Sequence, residues 1–298
     1  MRYVEAGGTR VSVIGLGTWQ FGSREWGYGR DYASREAEKI VHRALDLGVN
    51  LIDTAEIYGP WRSERIVGQA LKGRRDEAFV ATKIFPIGLP FTTGWRARAS
   101  ARRLQTGVID LYQLHWPSIF FPPKATMDRF RRLMDDGLVR HAGVSNHDLR
   151  QWQDCDDALG GPVLSNQVRF SLIHREPERE LVPWAQRNDR IVIAYSPLAQ
   201  GVLSGRYRDR APSNFRRFSS DFSAPARKQR EPLIDALADI GKHHDATPSQ
   251  IALAWLVSKP NVVAIPGASS VKQLEDNAKA GDMVLTGDQI AELDRLSA

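Results

Sequence analysis

Cys155 is the single cysteine among 298 residues. One thiol closes no internal disulfide, so a reducing compartment is expected, the cytoplasm first. Asp154, Asp156 and Asp157 surround that thiol with negative charge, which raises its pKa and predicts an inert side chain. Apolar runs are short, and none approaches the ~20 residues that cross a bilayer. The opening Met1-Arg2-Tyr3-Val4-Glu5 has no apolar stretch of signal-peptide type. No zinc-ligand spacing and no acidic metal cluster are present, so no metal is expected. A G-x-G-x-x-G fingerprint is also missing, which argues against a Rossmann-type dinucleotide fold. Recognised nucleic-acid motifs are absent too. The formal net charge is +6, but its densest stretch is local, from Arg206 to Arg230. That stretch reads as a solvated loop, with contact to the phosphates of a small anion as the sharper alternative. Neither a nucleic-acid nor a membrane partner is expected.

What is present is a regular alternation of strand-like and helix-like segments with short connections, the pattern of repeated βα units. Hydrophobic residues make up 42% of the chain, enough for one large core, and α/β barrels of this length fold as one domain. The prediction is an α/β fold, a (β/α)8 TIM barrel over residues 1–298. An N-terminal β-hairpin around Gly7-Gly8 would plug its closed end. Barrel strands are expected at 14–17, 50–53, 78–82, 109–114, 141–144, 165–167, 191–195 and 262–265. The first helix is expected at 34–47 with Ser34 as its N-cap, and a last amphipathic piece at 286–296. One long interruption, from about Gly201 to Glu231 after strand seven, is rich in Arg, Ser, Pro and Asn. Loops of that length inside a compact domain are usually functional or mobile.

In such barrels the active site lies at the C-terminal ends of the strands. Asp53 ends strand two, Tyr58 follows it, Lys83 follows strand three directly and His115 follows strand four. Each has an ordinary structural role open to it: a turn cap, a turn aromatic, a rim lysine, a half-buried histidine. Packing needs alone do not readily bring four such groups to one mouth, so the set reads as functional.

Several segments in this order carry a resemblance. They are Gly15-Leu16-Gly17-Thr18-Trp19, Asp53 to Gly59 with Ser63-Glu64 and Gly68, Lys83, and Asp110 to Pro117. Further along come Gly143-Val144-Ser145-Asn146, Asn166-Gln167, Tyr195-Ser196-Pro197-Leu198, Ile265-Pro266-Gly267-Ala268, and Gln273 to Asn277. Over nearly its whole length the chain resembles the aldo-keto reductase superfamily. That resemblance implies NAD(P)H-dependent reduction of aldehydes or ketones by the tetrad Asp53, Tyr58, Lys83 and His115. Tyr58 is the implied proton donor. Its free pKa is ~10, and Lys83 would lower it by stabilising the phenolate. Asp53 would hold Lys83, and His115 would orient the carbonyl.

The same resemblance implies the cofactor contacts. Ser145, Asn146 and Gln167 would hold the nicotinamide carboxamide, and Tyr195 would stack on its ring. Leu198, Gly201 and Leu203, with Ser204 and Arg206, would meet the pyrophosphate. Ser269, Gln273 and Asn277 would meet the adenosine end, at a helix N-terminus suited to anions. Gly17, Thr18, Trp19, Asp53, Ser196, Pro197, Gln200, Ile265, Gly267, Ala268 and Asp276 complete the implied lining. Many relatives place a lysine and an arginine where Gly267 and Gln273 stand. NADP(H) is still the expected cofactor by resemblance, and the loss of these two cations is why NAD(H) is also admitted. Trp19, Trp26, Tyr28, Tyr58, Phe85, His115 and Trp116 would line a pocket for an apolar or aromatic carbonyl compound, although each aromatic could equally pack beneath a loop. A cofactor-holding regulatory subunit, similar to potassium-channel β subunits, is the alternative, and a barrel lyase or isomerase a second.

Overall fold

Gly7 and Gly8 adopt positive φ of 56° and 73°, the conformation that matches a two-residue hairpin turn to strand twist. They join β1 (Tyr3–Ala6) to antiparallel β2 (Thr9–Ser12). The structure is a computed structural model that describes residues 1–22, 31–118, 120–208, 211–212 and 219–297.

Beyond the hairpin, strands and helices alternate. Strands β3 (Leu16–Gly17), β4 (Leu51–Asp53), β5 (Phe79–Ile84) and β6 (Ile109–Leu114) are followed by β7 (Val139–Ser145), β8 (Val163–Arg169), β9 (Ile191–Tyr195) and β10 (Val262–Ala264). They form one parallel sheet in chain order. It closes on itself where Gly15 N donates to Ala264 O at 2.7 Å and Ala264 N to Val13 O at 2.8 Å. Around it run α1 (Asp31–Asp46), α2 (Arg62–Ala70), α3 (Thr93–Arg103), α4 (Pro123–Asp135), α5 (Leu149–Leu159), α6 (Glu176–Arg179) and α7 (Leu181–Arg187). Then come α8 (Ala224–Gln229), α9 (Glu231–His243), α10 (Pro248–Leu256), α11 (Val271–Lys279) and α12 (Gly287–Leu296). The architecture is the expected (β/α)8 barrel with its hairpin.

Period-two alternation divides the core into two clusters. Ile52, Val80, Tyr112, Val192 and Ala264 belong to the larger cluster, with the residues of the helices. Leu51, Phe79, Ala81, Leu111, Ile191, Ile193 and Val263 form the second, together with Ala6 and Val11 of the hairpin. The hairpin therefore closes the N-terminal end, and a Cβ on Gly7 would come within 2.5 Å of Leu164. Continuing the inward alternation past those apolar rungs reaches Asp53, Lys83 and Gln113. The apolar floor thus ends where a polar layer begins.

Two expectations need correction. Helix α1 begins at Asp31, so Ser34 lies inside it and does not cap it. Both residue types start helices, and the apolar period that would separate them begins only at buried Ala37 and Ile40. The segment from Gly201 to Glu231 is not uniformly irregular. It holds part of a 3-10 turn (Ala199–Ser204), another at Ser220–Phe222, and α8, capped where Ser223 accepts from Ala226 N. Elements this short carry no readable period. The expectation for 209–210 and 213–218 falls outside the described residues.

Candidate active site

Lys83 is wholly buried, which is costly for an ammonium without a counter-charge. Its Nζ donates to Asp53 Oδ1 at 2.6 Å, to Thr54 O at 2.8 Å and to Tyr58 Oη at 3.2 Å. Burial pulls the ammonium toward deprotonation, but Asp53 and Tyr58 together hold its pKa above the ordinary lysine value. Lys83 is a cation at neutral pH. The far oxygen of Asp53 accepts from Gln167 Nε2 at 2.8 Å and from Gln113 Nε2 at 3.4 Å. Those bonds satisfy a buried carboxylate on both oxygens.

For Tyr58 the balance differs from the sequence expectation. Burial pushes the phenol up, Lys83 pulls it down, and Asp53 pushes it up again; the result lies above the ordinary tyrosine value. Lys83 lowers the pKa as expected but does not win. At neutral pH the hydroxyl keeps its proton, so it can donate one.

His115 closes the group. Its ring meets Tyr58 edge-on at 6.0 Å and Phe85 edge-on at 6.1 Å. Burial, then the Lys83 charge, pushes its pKa down to about 3. The imidazole is neutral, and its buried Nδ1 has no hydrogen-bond partner among the described residues.

A second network continues from this one along the barrel rim. Asn146, at φ 61°, donates through Nδ2 to His115 O at 3.1 Å and to Ser145 Oγ at 3.0 Å. Its Oδ1 accepts from Tyr195 Oη at 2.9 Å, and Ser145 Oγ donates to Gln167 O at 2.8 Å. These bonds place Ser145, Asn146, Gln167 and Tyr195 in one network with Asp53 and His115. After Tyr195 the backbone takes positive φ at Ser196, Ala199, Gln200 and Gly201, a strained run of the sort found at ligand clamps. There the Gly201 and Leu203 amides donate to Leu198 O, and Ser204 Oγ donates to Gly201 O. Arg206 lies beside Tyr207, 5.9 Å from its ring, and Pro197 sits within the turn.

The opposite rim is built from β3 and the segment after β10. Gly17 approaches so closely that a Cβ would lie 2.8 Å from Ile265 O. Thr18 donates to Asp53 O through both N and Oγ1. Gln20, missed by sequence reasoning, donates to Ala268 O at 2.7 Å. A Cβ on Gly267 would meet the Gln20 amide at 2.7 Å, so Gln20 fills the space that a lysine stem would need. Ser269 N donates to Gln273 Oε1 at 2.8 Å, and Asn277 Nδ2 donates to Gly267 O at 3.2 Å. Asp276 lies within salt-bridge range of Lys272 and Lys279.

Of the expected pocket residues, His115 meets both Tyr58 and Phe85, while Trp19 and Trp116 are about half exposed just past strand ends. Trp26 and Tyr28 lie outside the described residues. Gln113 was also missed; it stands two residues before His115 on β6, so strand alternation would have placed it on the same face. Among the described residues no group of three His, Cys, Asp or Glu side chains gathers as for a metal, and no helix is long and apolar enough to cross a membrane.

A buried lysine–aspartate pair, a protonated tyrosine and a neutral histidine at the C-terminal mouth of a parallel barrel define a class, and the comparisons agree on it. The family model described as Aldo/keto reductase family matches residues 13–298. The chain belongs to that family and is an enzyme of the oxidoreductase type. It is 52% identical over 289 residues to an uncharacterised oxidoreductase of Mycobacterium tuberculosis, covering 96% of this chain and 90% of that one. Methylglyoxal reductase of Escherichia coli is 33% identical over 293 residues, with 97% and 92% covered. The crystal structure of an aldo/keto reductase from Klebsiella pneumoniae, in complex with NADP and acetate, superposes with a TM-score of 0.82 at 32% identity. It covers 99% of this chain and 94% of that one.

Proposed function

We propose that the protein reduces aldehydes or ketones to alcohols with NADPH, and that Tyr58 is the proton donor. The observation that carries this reading is the chain of contacts Asp53 Oδ1–Lys83 Nζ–Tyr58 Oη, at 2.6 and 3.2 Å, opening toward His115.

The residues present suit a nicotinamide dinucleotide. The turn after Tyr195, with positive φ at Ser196, Ala199, Gln200 and Gly201, would border the pyrophosphate. Helix α11 has no acidic residue in its first turn, and its cap Ser270 takes the Gln273 amide. The earlier amides of a helix lack intrahelical partners, so this end favours an anion. Ser145, Asn146, Gln167 and Tyr195 would hold the nicotinamide, Ser204 and Arg206 the pyrophosphate, and Ser269 with α11 the adenosine end. A nicotinamide dinucleotide held there in its reduced form would supply the hydride that carbonyl reduction needs.

The protein's own part is positional and electrostatic. As negative charge builds on the carbonyl oxygen, the Tyr58 hydroxyl donates its proton to that oxygen. Lys83 stabilises the phenolate left behind, and Asp53 holds the ammonium in place. Neutral His115 orients the carbonyl beside Tyr58. Trp19, Phe85 and Trp116 offer apolar surface to the remainder of the substrate.

NADPH is favoured over NADH, but modestly. Gly267 carries no cation, Gln273 is neutral, and the exposed Lys272 is only loosely paired with Asp276 at 3.9 Å. One or two hydrogen bonds to a 2′-phosphate support a preference on the order of tenfold to a few hundredfold. The test is a panel of aldehydes and ketones followed by NADPH absorbance, beginning with methylglyoxal because of the Escherichia coli relative. A panel that includes aromatic aldehydes yet shows no turnover with either cofactor refutes the reading.

A further inference from the structure

Two residues before Tyr58 stands Glu56, a carboxylate only 5% exposed, to which the tetrad assigns no role. It joins three segments. Its Oε1 accepts from Phe85 N at 2.8 Å, and the carboxylate is forked by the Arg96 guanidinium of α3, with Arg96 Nε 3.2 Å from Oε2. Arg96 is itself 13% exposed. It also donates to Phe85 O at 2.8 Å, to Ile87 O, and to Thr92 Oγ1 at 3.2 Å. The Glu56 backbone extends the joint. Its N donates to Lys83 O at 3.3 Å, and its O accepts from Trp61 N at 2.8 Å.

We propose that Glu56 and Arg96 form a positioning pair that sets the Tyr58 hydroxyl against Lys83 and fixes Phe85 at the mouth. It rests on the reading of Tyr58 as proton donor. The Tyr58 loop and the Lys83 strand end come from different βα units, joined through the backbone by Thr54 N–Ala81 O at 2.8 Å and, nearer Tyr58, by the longer Glu56 N–Lys83 O bond of 3.3 Å. The carboxylate adds a further tie beyond these, to the Phe85 amide, and the guanidinium fastens that tie to α3. Both rings that meet His115, those of Tyr58 and Phe85, lie on segments that Glu56 holds. Removing the charge leaves a mostly buried guanidinium without its counter-ion and frees the two segments to separate.

The test compares Glu56→Gln, Arg96→Met and Arg96→Lys with wild type and Tyr58→Phe, using NADPH and 4-nitrobenzaldehyde. For Glu56→Gln we expect kcat to fall about tenfold to a hundredfold, with the NADPH dissociation constant within about threefold. The alkaline limb of kcat should move to higher pH, because a more distant Lys83 stabilises the Tyr58 phenolate less. Arg96→Lys, which keeps the charge but loses the fork, should retain more kcat than Arg96→Met, and it serves if Glu56→Gln does not fold. Unchanged kcat overturns the proposal. So does a fall in kcat with an unmoved alkaline limb, which marks a general structural role. A Tyr58→Phe protein that stays active instead strikes the reading of Tyr58. In that event a crystal structure of Glu56→Gln still decides the pair, since an unaltered Tyr58 Oη–Lys83 Nζ contact overturns it.

Discussion

Tyr58 is under opposing demands: burial makes its proton hard to lose, and the adjacent ammonium makes the resulting anion tolerable. Both are needed if the group is to hold its proton at rest and release it to a carbonyl oxygen. Tyr58→Phe should therefore lower kcat by more than about tenfold, or about 1.4 kcal/mol, with NADPH binding nearly intact. Retention of more than that fraction of turnover removes Tyr58 as donor. Lys83→Met should be similarly severe and should shift the alkaline limb upward, which a pH profile would show. His115 behaves differently. With its pKa held down at about 3 by burial and Lys83, it is neutral throughout the usual assay range. The kcat profile should then lack a histidine limb near ~6.5. Such a limb that disappears in His115→Ala would mean that the ring titrates during catalysis.

At the scale of elements, the segment between β10 and α11 decides what can contact a phosphate. The resemblance makes Gly267 a missing lysine, but the Gln20 amide crowds the place where its Cβ would go. Gly267→Lys must swing the end of the Gln20 side chain aside and break its bond to Ala268 O, which should lower stability by about 0.5–1.5 kcal/mol. Adding Gln20→Ala should then cost little more, measured by urea denaturation, because that bond is already lost. Fully additive losses would show that the new side chain does not displace Gln20. Gln273→Arg places a charge at the first turn of α11 and gives up one bond to Ser269 N. NADPH affinity should rise about tenfold while NADH affinity stays nearly level. Equal gains for both cofactors would remove Gln273 from the neighbourhood of the 2′-phosphate.

For the molecule as a whole, buried histidines set an acid limit on stability. His147 is 4% exposed, with Nδ1 2.9 Å from Ser145 O. Burial pushes its pKa down to about 4, although Ser145 and Asp148 oppose that shift. Between about 6.5 and 4 the unfolded chain gains a proton there that the folded protein refuses. Stability is therefore intact above that window and declines as the pH falls through it, by about 3 kcal/mol at most from this residue. Urea midpoints at pH 7.5 and 4.5 should show the decline, and His147→Asn should lessen it, leaving the part that His115 contributes. An equal decline in the variant would place the acid sensitivity on other groups.

Much of this was written in local pattern. Strand periodicity, the glycine pair of the hairpin and the order of Asp53, Tyr58, Lys83 and His115 needed no coordinates, because each depends on neighbours along one segment. Burial of Cys155 was not legible. Its thiol is pushed up to about 12 mainly by burial and only secondarily by Asp154 and Asp156, whereas sequence offered the aspartates alone. The balance at Tyr58 went the same way, since solvent exclusion is a property of the closed barrel. Gln20 against Gly267, Gln113 and Gln167 on Asp53, and Glu56 with Arg96 are contacts between distant segments that no periodicity encodes. The sequence by itself determined which chemical groups reach the barrel mouth, through strand order and alternation. Only the tertiary structure decided their protonation and spacing, because both depend on what each group is packed against after water has been excluded.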